Sequence, residues 1–131
     1  MVEYKTRKPK KSIEEIKENI VLRGLSKPTI DAKIWFKENK GPSNFATNRF
    51  KTSLRARLFV ESLYKAGVGE IRVGGIHDEE WRINDEGWAY ASTLYIKDPS
   101  SRAMEILRNE YPDKLNSVNV EGSVIVMAWW D

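Results

Sequence analysis

Apolar residues recur three and four positions apart in some stretches of the chain and alternate in others. Ile13, Ile16 and Ile20 share one face of a helical wheel. Ser12 and Glu15 form a capping box at its start, and Gly24 suits the left-handed residue that ends a helix. This predicts a helix over 13–23. Residues 28–39 carry two patterns. Ser26 and Pro28 read as a helix start and Gly41-Pro42 as a stop, yet Ile30, Ala32, Ile34 and Phe36 alternate like a strand. The flanking signals favour a helix. Phe45, Thr47 and Arg49 alternate with Ala46, Asn48 and Phe50, which predicts a short strand at 45–51. Thr52 or Ser53 then caps a helix with a buried stripe of Ala56, Phe59, Val60 and Leu63, and Gly67 stops it. Glu70 to Gly74 reads as a strand, with Gly74-Gly75 as a bend or bulge.

Trp88 to Lys97 is a second alternating strand. Asp98 as N-cap and Pro99 in the first turn predict a helix with Ala103, Met104, Leu107 and Tyr111 on its apolar face, closed by Pro112. Val118 to Trp130 is extended, with Glu121-Gly122 as a turn. Its last part is apolar on both faces, as befits a central strand. From residue 45 the order is strand, helix, strand, strand, helix, strand. This predicts an α+β fold: a ferredoxin-like (βαββαβ) antiparallel sheet with two covering helices. Residues 1–11 are expected to be a flexible basic arm, 12–41 an N-terminal helical hairpin, and 42–131 the ferredoxin-like unit, all in one compact body.

Composition narrows the chemistry. The 131 residues contain no cysteine and one histidine, His77. Disulfides, thiolate metal sites and multi-histidine sites are therefore excluded within one chain. No apolar run reaches the roughly eighteen residues of a membrane span, and no signal-peptide core follows Met1. A cytoplasmic protein with no membrane partner is expected. No serine sits in a G-x-S-x-G elbow and no glycine-rich phosphate loop is present. The chain is expected to have no catalytic residues, no metal and no cofactor.

Charge supplies the functional lead. Residues 1–60 carry 15 Lys/Arg against 6 Asp/Glu, a net of +9, and residues 61–131 carry 7 against 13, a net of −6. A basic half concentrates anions. Arg49, Lys51, Arg55 and Arg57 surround a predicted helix N-terminus, where Thr52 and Ser53 add hydroxyl donors. Trp81, Trp88 and Tyr90 could stack on a base. The leading expectation is a non-catalytic binding protein that senses or sequesters a small phosphate-bearing, nucleotide-like ligand or a short nucleic acid.

A second expectation concerns residues 13–39. The Gly24-Leu25-Ser26 turn and the Thr29-Ile30 pair resemble a helix-turn-helix, and the resemblance implies a DNA-binding regulator presenting Lys27, Thr29, Lys33 and Lys37 to the duplex. Against the motif, Pro28 sits inside the second helix and Lys33 stands where a buried aliphatic belongs. The acidic segment 77–88 reads as a connecting loop, because its spacing is not that of an EF-hand. A third reading is a protein–protein adaptor or inhibitor. The charge split and five tryptophans further predict a homodimer or larger assembly.

Overall fold

The computed structural model describes residues 29–76 and 88–131. The helix expected at 13–23, the basic arm, Lys27, Trp81 and the acidic connection through Glu86 lie outside the described residues. The fold is α+β, with a five-stranded antiparallel sheet. Its strands are β1 (Ile30–Asp31), β2 (Glu70–Gly74), β3 (Thr93–Lys97), β4 (Lys114–Val120) and β5 (Ser123–Trp129), and its helices are α1 (Ala32–Glu38), α2 (Thr47–Phe50), α3 (Ser53–Ala66) and α4 (Ser101–Arg108).

The strand order is β1-β2-β3-β5-β4, which is not the ferredoxin-like order. That order requires the segment at 45–51 to be a full strand inside the sheet. Instead β5 pairs directly with β3, and Phe45 makes only one parallel bridge, to Ala91. The physical reason lies in the side chains. Residues 45 and 50 would face opposite sides of a strand, yet Phe45 and Phe50 are both buried with ring centroids 6.1 Å apart. The helical turn of α2, entered through Ala46 at φ 42° and left through Lys51 at φ 70°, brings both rings to one core.

The helix expected at 28–39 begins late. Asp31 accepts hydrogen bonds from the N–H groups of Lys33 and Ile34 and so caps α1. The residues before it are extended: Ile30 pairs with Val73 and Asp31 with Arg72. Residues 29–41 thus give the sheet an edge strand and then a helix shorter than expected, while the first helix of the expected N-terminal hairpin lies outside the described residues. The start and end of α4 also differ from the sequence expectation. Ser100, not Asp98, is its N-cap; Asp98 is left-handed at φ 48° and accepts the N–H of Val124. Tyr111 lies beyond the helix and is 74% exposed, so it is not part of the apolar face. The stripe of α3 is buried as expected, and Gly67 ends that helix at φ 114°. Glu121 at φ 52° and Gly122 at φ 87° make the tight turn between β4 and β5.

The core lies on one face of the sheet. Ile71 faces Ile96, which faces Val126; Val73 faces Leu94, which faces Ala128. All six are buried against α3 and α4 residues such as Leu63, Ala103 and Leu107. On the other face Arg72, Tyr95, Met127 and Asn116 form a row. At the ends of β3 and β5 the core becomes aromatic. Trp130 makes edge contacts with Phe45, Phe50 and Phe59, and Phe50 stacks on Phe59 at 5.1 Å. Such ring pairs contribute about 1 kcal/mol each beyond the area they bury.

A buried polar clamp fixes α1 relative to this core. The Asn39 side chain donates to the carbonyl of Ala89 and accepts from its N–H, standing in for a strand neighbour. Asn44 donates to the Asn39 carbonyl and accepts from the Ser53 hydroxyl. The chain after α1 is thus tied both to the approach to β3 and to the start of α3.

Candidate functional site

The clamp holds α1 beside α3, and the two helices frame a groove of about 520 Å³. On α1, Ala32 and Trp35 face inward, which leaves Lys33 and Lys37 exposed one turn apart. Lys40 continues the same rim. On α3 the stripe of Ala56, Phe59, Val60 and Leu63 faces the core, so Arg57, Glu61 and Lys65, each four residues from the next, form the opposite rim. Ala32, Phe36, Val60 and Tyr64 line the floor. Among the described residues the groove thus has five cations and one carboxylate around an apolar, partly aromatic base.

The charges are unequally satisfied. Arg57 lies 3.6 Å from Glu61 in an exposed pair, which contributes little. The Lys33 ammonium rides over the Tyr64 ring at 4.4 Å from its centre. Lys37, Lys40 and Lys65 have no anionic partner among the described residues. Tyr64 itself is pushed up from 10.0 to about 12, first by burial and then by the negative charge of Asp31. Its hydroxyl stays protonated at neutral pH and points to the Ile71 carbonyl at 3.5 Å. Among the described residues no cluster of three or more His, Cys, Asp or Glu could hold a metal ion.

The residues expected around the N-terminus of α3 do not converge. Arg49 donates to Glu110 at 2.9 Å and lies over the Tyr111 ring. Lys51 donates to the Asn48 carbonyl. The Thr52 hydroxyl caps α3 by accepting from Arg55 N–H, and the Ser53 hydroxyl belongs to the clamp. Arg55 is exposed and outside the groove, whereas Arg57 lines it. Trp88 packs against Gly41, where an added Cβ would come within 2.4 Å of the indole, and the Tyr90 hydroxyl accepts from Thr47 N–H. Of the second set, Thr29 is buried and accepts from Arg72, while Lys33 and Lys37 both line the groove.

Lys40, Lys65, Phe36 and Tyr64 do not stand out as site residues in the sequence. The i, i+4 spacing of Lys33 and Lys37 is a readable signal of one helical rim; Lys40 lies beyond the C-cap Asn39 and joins the rim only through the fold. That Arg57 and Lys65 face it depends on how two helices pack.

A second concavity of about 500 Å³ between α4 and the β4–β5 hairpin carries Asp98 and Arg108 together, so it shows no preference for one sign of charge. No family model, no curated protein and no solved structure matches this chain. No described helix is long and apolar enough to cross a membrane.

Proposed function

We propose that the protein is a non-catalytic binder of phosphate-bearing anions and that the α1–α3 groove is where it holds them. The observation that carries this reading is the three lysines, Lys37, Lys40 and Lys65, that surround an aromatic-floored groove without anionic partners among the described residues. Cations left unpaired around a concave apolar surface favour a ligand that is anionic at one end and flat or apolar at the other. Lysines supply point charges for phosphate, and half-buried Phe36 and Tyr64 supply ring surface.

The test is a melting screen of wild type and a Lys37→Glu/Lys40→Glu variant against ATP and inorganic triphosphate. Wild type is expected to melt higher with ATP, since a ligand bound only to the native state stabilises it. The variant is expected to melt as wild type does without ligand and to lose the shift. Absence of any shift in wild type with either probe would refute the reading.

A further inference from the structure

We infer that the groove's ligand is a single strand of nucleic acid, held by its backbone and without base-sequence preference. The inference rests on the proposed anion binding and narrows it from phosphate-bearing molecules in general to a polymer of them.

The placement of the cations argues for a strand. A mononucleotide presents its phosphates in one cluster, and sites for it gather donors around a point, with backbone N–H groups at a glycine-rich turn or helix N-terminus. This groove has no such focus. Lys33, Lys37 and Lys40 follow one another along one rim, and Arg57 and Lys65 stand two turns apart on the other. At about 1.5 Å per residue the α3 rim from Arg57 to Lys65 runs for about 12 Å, and the facing rim starts with Lys33 and Lys37 on α1 and continues at Lys40, past the end of that helix. Charges distributed over that length meet successive phosphates. The helix N-terminus nearest the groove is that of α1, and there the Asp31 carboxylate already takes the free N–H groups, which disfavours a phosphate at that end.

The chemistry of the rims argues against base reading. Four of the five cations are lysines, and the one arginine is turned toward Glu61. An ammonium is a non-directional point charge that suits phosphate, whereas base discrimination relies on bidentate arginine, asparagine or glutamine. The floor offers the half-buried Phe36 ring between charged rims, beside a Tyr64 ring covered by the Lys33 ammonium, and aromatic surface flanked by cations holds unpaired bases without regard to sequence. A duplex presents no unstacked base to Phe36, so a single strand fits this floor better.

Fluorescence anisotropy with the full chain tests this. The probes are labelled oligo-dT and oligo-U of roughly 12 nucleotides, the matching duplex, and unlabelled ATP as competitor. Both single strands are expected to bind at least tenfold more tightly than the duplex, and ATP to compete only weakly. About four phosphate contacts with a slope near −0.7 each imply an affinity loss of about fiftyfold between roughly 50 and 200 mM salt. Lys37→Gln/Lys40→Gln is expected to make that slope shallower by about 1.4. Phe36→Leu is expected to weaken binding without changing the slope, and its unliganded melting curve shows whether the fold is kept.

Three results would overturn the inference: a strand that binds no more tightly than ATP, a duplex that binds as well as the single strand, or a lysine pair whose removal leaves the slope unchanged. If ATP binds in a groove-dependent way but the strand gains nothing, only this inference falls. If neither binds, the proposed function falls with it.

Discussion

Two basic regions of this molecule have opposite fates. Arg49, Lys51, Arg55 and Arg57 lie within nine residues of chain, and in sequence they form a dense cationic cluster at a helix start. In the fold they disperse. Arg49 turns to Glu110 from the acidic half, Lys51 to a backbone carbonyl, and only Arg57 reaches the groove. The groove collects its other cations from three separated places, Lys33 and Lys37 on α1, Lys40 after it, and Lys65 at the end of α3. Proximity in sequence concentrates charge, but it does not aim it. A cluster at a helix start sits next to the rest of the protein and finds internal partners. Lys37, Lys40 and Lys65, on the outward rims of the groove, find no anionic partner among the described residues.

The comparison is broken most severely by loosening what holds α1 against α3. Asn39→Ala would leave the Ala89 N–H and carbonyl without their buried partner, and unfolding free energy is expected to drop by about 3 kcal/mol. Urea denaturation measures it. A loss below about 1 kcal/mol would mean that the clamp is not what positions the groove.

Next in size is a pH effect inside the groove. The Tyr64 phenol titrates near 10.0 when free and near 12 in the fold. A group whose folded value is raised contributes stability that is fully present below 10.0 and is lost as pH climbs toward 12. Tyr64→Phe is therefore expected to flatten the alkaline fall in stability by about 1–2 kcal/mol, discounted for a ring that is only half-buried. Equal alkaline profiles for the two proteins would count against a buried, neutral Tyr64.

Arg49→Ala sharpens the contrast from the other side. Its pair with Glu110 is partly exposed, so the expected loss is about 0.5–1 kcal/mol of stability, with ATP binding intact. A large loss of ATP binding would restore the α3 N-terminus as a ligand site. The smallest effect belongs to Lys37→Glu/Lys40→Glu in the absence of ligand. With no internal partner to lose among the described residues, it should move stability by less than about 0.5 kcal/mol. A marked drop in melting temperature would show that these lysines are structural after all.

How far the site was legible follows the same line. Arg57, Lys33 and Lys37 stood out in sequence, but under two separate hypotheses, one for a phosphate site at a helix start and one for a DNA-reading helix. Only the packing of α1 on α3 joined them. Tyr64 and Phe36 look like ordinary stripe residues until the groove exposes part of each ring.

The elements themselves divide in the same way. Ala56, Phe59, Val60, Leu63 and Gly67 determined α3 from sequence, because helical spacing and a glycine stop are local facts. The Glu121-Gly122 turn and the strand at 70–74 were equally readable, since their patterns act within a few residues, whereas the strand expected over Trp88–Lys97 is regular only from Thr93 to Lys97. The tertiary structure decided three things: that residues 47–50 coil so that Phe45 and Phe50 meet one core, that β5 pairs with β3, and that two lysine-bearing rims face each other. Each depends on contacts between residues tens of positions apart, where buried area and paired backbone groups outweigh the local preference of any short segment.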